Sequence, residues 1–388
     1  MSVSQAERAI VSEWWHRVDR VLVQLIVLLA VAGLVVSFAA SPQAAIHYKL
    51  EPFYFVKRHA AAMGAALFIA FAVSLLDPAQ MRRLALALFC AGTFLMILAL
   101  IQGAERNGAT RWLLFGGFVV QPSEFVKPGF VVLSAWLFSE SFKRPEMPAL
   151  ELALLVLAAF LALLVLQPDM GQAIIVLSVW CGLFFLSGYS LRFAPLFAAF
   201  IAAGLTAAYY TMPHFASRIE RFAVGGEAQQ VAIAVNALRD AGWLGHGFGE
   251  GLAKARLPDA HNDFVFAAAA DELGIAACVF LILIYALIVW RALRSAFREE
   301  DAFLRLAIAG LVMIFAVQAL VNMAVNLNLL PAKGVTLPFV SYGRSSLLAS
   351  AVTLGMIAGL TRRTFSPFAV PIPGFAEFAG SYRWRRER

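Results

Sequence analysis

The sequence predicts an all-α integral membrane protein of about ten transmembrane helices, and three observations predict it. Of 388 residues, 61% are hydrophobic and only 14% charged, with mean hydropathy +0.78; soluble domains run nearer half apolar and a quarter charged. The apolar residues form a series of runs, each close to the roughly 20 residues that cross a bilayer as a helix. Lys and Arg gather in alternate connections between those runs, as topology requires. The net charge of +7 is scattered rather than gathered on one face, which excludes a nucleic-acid binder. Cys90, Cys181 and Cys278 all fall inside expected spans and show neither disulfide nor metal spacing, so they read as small core residues.

The first run, residues 21–40, follows Arg8, Arg17 and Arg20 and is too long for the core of a cleaved signal peptide. It stays as an anchor, with residues 1–20 as a cytoplasmic segment. Further runs fall at 60–76, 84–101, 125–138, 149–166, 173–186, 193–211, 264–290, 303–327 and 346–360. One side of this drawing receives Arg82, Arg83, Lys143, Arg144, Arg192, Arg291, Arg294, Arg298, Arg305, Arg362 and Arg363, and that side is the cytoplasm. An even number of spans leaves both termini there. The membrane domain covers 21–365, and a basic cytoplasmic tail, 366–388, suits contact with anionic lipid head groups. One long extracytoplasmic loop, about 212–262, lies between the seventh and eighth helices, and loops of that length usually carry function.

Ionisable and amide side chains in or beside spans are costly and therefore candidates. Glu124 and Lys127 stand three apart at the start of the fourth span, a spacing that suits an ion pair, structural or functional. Asp169 lies in the break Gln167-Pro-Asp-Met-Gly171, where it either caps the next helix or does chemistry. Gln318, Asn322 and Asn326 repeat every four residues as a polar stripe along the ninth span, turned to a cavity or to a partner helix. The long loop ends in Gly242-Trp-Leu-Gly-His-Gly-Phe-Gly-Glu-Gly251 and then Leu257-Pro-Asp-Ala-His-Asn-Asp263. With Pro258 opening the helix, Asp259 and Asp263 fall one turn apart on one face, and Asp271 and Glu272 two turns, roughly 12 Å, deeper. Asp259 suits an N-cap; Asp263, at the outer membrane surface, suits a general base. The glycines fit neither a phosphate loop nor a dinucleotide fingerprint. His246 and His261 lack metal spacing and read as surface or capping residues.

Read in order, several segments resemble the SEDS family of bacterial cell-wall proteins (shape, elongation, division and sporulation) over about residues 15–365. They are Arg111-Trp-Leu113, Gln121-Pro-Ser-Glu-Phe-Val-Lys127, Gln167-Pro-Asp-Met-Gly171, Gly242-Trp-Leu-Gly-His-Gly247, Leu257-Pro-Asp-Ala-His-Asn-Asp-Phe-Val-Phe266, Asp271-Glu-Leu-Gly274 and Leu330-Pro-Ala-Lys-Gly-Val-Thr-Leu-Pro-Phe-Val-Ser-Tyr-Gly343. The stretch from Leu330 to Thr336 looks like the division branch rather than the elongation branch. Three departures stand out: Arg344 where family members usually have glycine, Asn262 where they have threonine, and Asp259 and Asp271 where they have glutamate. Arg344 places a large cation where the family has no side chain, either as a phosphate contact or as an obstruction.

The resemblance implies a glycosyltransferase that polymerises lipid II into peptidoglycan strands during septal wall synthesis in the inner membrane. Its expected partners are lipid II and the nascent strand, a class B penicillin-binding protein that cross-links the product, other division proteins and membrane lipid. The position usually credited with catalysis matches Asp263. Departure of polyprenyl diphosphate needs cations, for which Arg111, Lys127, Lys254, Lys333 and Arg344 are the outer-side candidates, with Trp112 able to stack on sugar or to sit in the aromatic belt. Glu124, Asp169, Asp259, His261, Glu272, Gln318, Asn322, Asn326 and Ser341 are supporting polar candidates. No resident cofactor is implied with certainty, and a divalent cation, Mg or Mn, is left open. Two rival functions are a lipid II transporter and a non-catalytic scaffold for the transpeptidase.

Overall fold

The computed structural model describes residues 11–47, 49–51, 53–103, 110–115, 118–223, 229–247, 250–251, 262–331 and 334–362. After a short helical segment at 11–17, the described chain runs α1 (Arg20–His47), α2 (Tyr54–Ser74), α3 (Pro78–Gln102), an antiparallel hairpin of β1 (Leu113–Phe115) and β2 (Phe118–Val120), α4 (Pro122–Lys143), α5 (Ala149–Leu166) and α6 (Met170–Leu186). A 3-10 turn, Leu191–Phe193, leads to α7 (Ala194–Thr211), then α8 (Pro213–Ala223), α9 (Gln229–Asp240), α10 (Val265–Ala296), α11 (Ala302–Asn326) and α12 (Arg344–Leu360). Seven of these, α1, α2, α3, α5, α7 with its preceding turn, α10 and α11, are long and apolar enough to cross a membrane. α6 and α12 are apolar but of 17 residues each, and α4 carries charge along its 22 residues.

The ends of these helices follow their residues. Asp77 opens α3 with a reciprocal capping box: its carboxylate accepts from Gln80 N–H at 2.7 Å, and the Gln80 side chain accepts from Asp77 N–H at 2.9 Å, with Pro78 at the first helical position. Asp301 caps α11 in the simpler way, accepting from Leu304 N–H at 3.0 Å.

α4, α11 and α12 form the centre, buried on nearly every side, with α2, α3, α5, α6 and α10 packed around them. Small residues set the closest crossings: a Cβ at Gly129 would lie 2.6 Å from the Ala85 carbonyl, and one at Gly355 would lie 2.6 Å from the Ala70 carbonyl. The outer helices turn large apolar side chains outward, among them Phe68, Phe94, Leu155, Phe200 and Leu283, as lipid-facing helices do. Cys278 is buried as expected, but Cys181 is only half-buried and Cys90 lies on the exposed face of α3. α7 buries only Ala208 and meets α6 through Phe197, which stands edge-on to Trp180 and Phe184.

Two expectations about the long loop change. It carries two helices of its own, and α9 buries Val231 and Ala234 against Phe264, Ala267 and Ala268 of the next segment. Pro258 lies outside the described residues, but Asp263 does not fall within the helix expected to start there: residues 262–264 form a turn and α10 starts at Val265. Nor is α10 continuous, because Gly274 (φ 81°) breaks it. The glycine-rich loop closes over that break. Ile275 N–H donates to the Gly242 carbonyl at 3.0 Å, His246 N–H to the Asp271 carbonyl at 3.0 Å and Gly247 N–H to the Glu272 carbonyl at 3.1 Å. Backbone groups freed by the break thus find partners, as they must at membrane depth. A side chain at Gly245 (φ 73°) would stand 2.3 Å from the Glu272 carbonyl, so the loop needs glycine there.

At the end of the bundle reached by the C-termini of α2 and α12, the Arg362 guanidinium donates to the Leu75 and Leu76 carbonyls, and Arg291 pairs with Asp19 at 2.7 Å.

Candidate active site

Asp263 occupies the turn before α10, and α11 holds that turn from beneath. Asn322 donates from Nδ2 to the Asp263 carbonyl at 2.9 Å and to the Val335 carbonyl at 2.6 Å. Asn326 donates to the same Asp263 carbonyl at 3.1 Å, while its Oδ1 accepts from Ala267 N–H, in the first turn of α10, at 3.1 Å. The polar stripe on α11 is therefore a clamp on the backbone of the candidate base. Residues 334–343 fold back beside it: Ser341 Oγ accepts from Leu337 N–H at 2.9 Å, and Thr336 Oγ1 donates to Ser346 Oγ at 2.7 Å.

Asp263 lines a cavity of about 660 Å³, a size that suits a ligand site. Its other walls come from the start of α2 (Tyr54, Phe55, Arg58), the hairpin region (Arg111, Trp112, Gln121), the returning connection (Gly334, Thr336, Tyr342) and the first residues of α12 (Arg344, Ser345, Ser346). Among the described lining residues there are three guanidiniums, Arg58, Arg111 and Arg344, and one carboxylate, Asp263. Arg111 lies 4.6 Å over the Trp112 ring and pairs through Nη1 with Asp169 at 3.2 Å. Two buried atoms of this lining, Arg111 Nε and Asn262 Oδ1, have no hydrogen-bond partner among the described residues, so each has capacity for a ligand.

Beneath the cavity runs a buried polar net. Asp169 accepts from the Gln121 amide at 3.3 Å and caps α6 through Gln172 N–H at 3.4 Å. Gln172 donates to Glu124 at 2.8 Å; Lys127 then pairs with Glu124 at 2.8 Å and donates to Gln172 at 3.1 Å and to Gln318 at 2.7 Å. Gln318 reaches the Thr336 carbonyl at 3.5 Å. All three ammonium donors of Lys127 are thus engaged inside the protein, and its side chain is 3% exposed. The structure does not bring it to the cavity wall.

Of the residues singled out from sequence, Asp263, Arg111, Trp112 and Arg344 come together at the cavity, and Asp169, Glu124, Gln318, Asn322, Asn326 and Ser341 support it from below. Glu272 is brought elsewhere: it is buried beside Asp271 under the glycine loop, where His246 Nδ1 stands 3.4 Å from Asp271 Oδ1. Lys254, Asp259, His261 and Lys333 lie outside the described residues. Among the described residues no three His, Cys, Asp or Glu side chains converge as metal ligands. With one carboxylate in the lining, these residues do not build a divalent-cation site by themselves.

Sequence reasoning missed Arg58, Tyr342 and Arg218. Arg58 and Tyr342 line the cavity; burial raises the Tyr342 hydroxyl above its ordinary pKa, and the Arg344 and Arg58 charges oppose the shift. Arg218, on α8, is held below its ordinary value by partial desolvation and by the neighbouring Arg111 and Arg221, while Asp169 and Asp263 act against that shift. Arg218 is exposed and lies outside the cavity lining. Arg58 was visible only as one of the few cations on the outer side, and Arg218 only as one charge of a long loop.

The profile of the FtsW, RodA and SpoVE family, described as cell cycle proteins, matches residues 19–365. The chain belongs to this family. It is 37% identical over 363 residues to the probable peptidoglycan glycosyltransferase FtsW of Caulobacter vibrioides, covering 93% of each chain. It is 35% identical over 369 residues to the probable FtsW of Alcanivorax borkumensis, covering 90% of this chain and 95% of that one. Among solved structures, a peptidoglycan synthase complex in which polymerisation and crosslinking are coordinated matches with TM-score 0.73 and 28% identity, over 89% of this chain and 97% of the other. Thermus thermophilus RodA, a rod shape determining protein, matches with TM-score 0.63 and 27% identity over 89% and 96%.

Proposed function

We infer that this chain is a peptidoglycan glycosyltransferase of the cell-division type, a multi-pass membrane enzyme that polymerises lipid II. The observation that carries the chemistry is Asp263, clamped by Asn322 and Asn326, opening on a cavity with three guanidiniums. Lipid II is a disaccharide-peptide on a polyprenyl diphosphate, so its sugar lies at the outer membrane surface with its tail in lipid. In our reading the protein crosses the membrane ten times with both termini in the cytoplasm, which sets the cavity at that outer surface.

Asp263 acts as general base. It takes the proton from the acceptor N-acetylglucosamine 4-hydroxyl as that oxygen bonds to the anomeric carbon of the donor N-acetylmuramic acid, and the bond from that carbon to diphosphate breaks. One displacement converts the α donor into a β product, so no second nucleophilic carboxylate is required. Arg111 opposes the charge that develops on the departing diphosphate, and Arg344 adds positive charge elsewhere in the cavity wall. Trp112, fixed under Arg111, offers an apolar face to a sugar ring. Guanidiniums of the protein supply the positive charge here, and any divalent cation would need the diphosphate's own oxygens as ligands. The partner is a transpeptidase of the class B penicillin-binding type at the division septum, where other division proteins join it.

The test is glycan-chain formation from lipid II by the purified protein, alone and with its partner transpeptidase inactivated at its own active site. Asp263→Asn is expected to fold and insert and to lose at least about a hundredfold in rate. Near-normal polymer from that variant would remove Asp263 from the base role. No polymer from wild type, with lipid II crossing vesicle membranes instead, would favour transport.

A further inference from the structure

The cations of the cavity are not gathered at one point. Arg111 is tied to Asp169 and stacked on Trp112. Arg58, Tyr342 and Arg344 instead line the cavity together. Each part of this second group is fixed by packing. Arg58 lies 4.5 Å over the Tyr54 ring on α2. Tyr342 is held edge-on by Phe55 at 5.1 Å and flanked by buried His59 at 6.1 Å. Arg344 is the first residue of α12, whose N-cap, Gly343, makes no side-chain capping bond, and the helix's first three residues line the cavity. Two guanidiniums on separate helices that line one cavity repel one another, and the positive end of α12 adds to the same field. An anion with several oxygens relieves all three at once. A guanidinium fork matches phosphoryl oxygens two at a time, so a pair of forks matches two adjoining phosphoryl groups.

We propose that Arg58, Arg344 and the N-terminus of α12 form a second diphosphate subsite in the cavity, separate from Arg111. This deepens the polymerase reading and rests on it: both reactants of that reaction carry a polyprenyl diphosphate, and two subsites hold both while Asp263 takes the proton. The occupant is a prenyl diphosphate rather than the phosphodiester of a membrane phospholipid.

The experiment uses the full chain in nanodiscs of zwitterionic lipid, titrated with geranylgeranyl diphosphate, geranylgeranyl monophosphate and inorganic pyrophosphate. Wild type is compared with Arg58→Gln, Arg344→Gln, Arg344→Lys and the Arg58→Gln/Arg344→Gln double variant. Wild type is expected to bind two geranylgeranyl diphosphates per chain and the double variant one. Each Gln variant weakens the second site roughly tenfold, and Arg344→Lys, which keeps the charge and reports on folding, recovers most of that loss. Monophosphate and inorganic pyrophosphate bind this site more weakly than the prenyl diphosphate. A single site in wild type, or two sites that persist in the double variant, overturns the proposal. So does equal displacement by phosphatidylglycerol added to the nanodisc, which would make a phospholipid the occupant. Polymer formation from lipid II in the same preparations separates the two readings. Polymer without an Arg58- and Arg344-dependent site leaves the polymerase standing and removes the subsite; that site without polymer does the reverse.

Discussion

The backbone of Asp263 has two donors where one would satisfy it, and this redundancy makes a quantitative prediction. Asn322→Ala removes the 2.9 Å bond to the Asp263 carbonyl and the 2.6 Å bond to Val335, yet leaves Asn326 on Asp263 at 3.1 Å. Asn326→Ala leaves Asn322 on Asp263 but orphans Ala267 N–H, which sits in the first turn of α10 and has no acceptor within its helix. Each single variant therefore leaves one buried backbone group unsatisfied, a cost of about 1–3 kcal/mol in stability. In neither does the turn lose its last anchor, so the rate of polymerisation per folded molecule falls by about tenfold or less. In the double variant the Asp263 carbonyl loses both donors. A shift of roughly 1 Å in a catalytic group costs on the order of a hundredfold, so the double variant is expected to fall well below the product of the two singles. The assay pairs lipid II polymerisation, normalised to folded protein, with the free energy of unfolding in a dodecyl sulfate titration. A double variant whose rate equals the product of the singles would refute the clamp, and so would a single variant as inactive as Asp263→Asn.

Two further outcomes follow from the buried parts of the fold. Lys127→Met leaves Glu124, 4% exposed, without its ammonium partner and should destabilise the protein by about 3–5 kcal/mol, whereas Lys127→Met with Glu124→Gln should recover a large part of that; equal unfolding energies for the single and double variants would count against the pair. Gly274→Ala sets a Cβ 2.2 Å from the Trp243 carbonyl at a positive φ, so folded yield and melting temperature should drop, while Ala at Gly64, where a Cβ meets nothing within 4 Å, should change neither.

Much of this architecture is legible from one sequence because lipid leaves so few options. Apolar runs have to be helices, and nearly every polar side chain placed among them has to find a partner. Glu124, Lys127, Asp169, Gln318, Asn322 and Asn326 all stood out on that ground, and all enter the net or the clamp. The starts of the helices were less legible. α2 begins at Tyr54, six residues before its apolar run, because Lys57 and Arg58 continue the helix while their charged ends stay out of lipid. Asp263 was expected within a helix, but it lies in a turn, 262–264, fixed by amides from α11 about sixty residues downstream. Local propensity carries no trace of such a contact. Gly274 likewise reads as one more small residue in an apolar run, and only the loop more than twenty-five residues upstream that closes over it makes the break affordable.

Division of labour among the cations follows from the same physics. Lys127 was an attractive phosphate ligand on sequence grounds, beside Glu124 in a motif shared with the family. In the fold its point charge is matched by Glu124 and two amide oxygens deep in the bundle, where leaving it unmatched would be costly. The cavity wall is given to arginines, whose charge survives burial and whose flat forks suit phosphoryl oxygens. Arg111 belongs to both worlds: Nη1 joins the net through Asp169, while Nε is buried at the wall with no partner among the described residues. In the proposed reaction a diphosphate drawn to Nε would meet a group already braced through Asp169, Gln172 and Glu124, so the net would position the leaving group without contributing a ligand of its own.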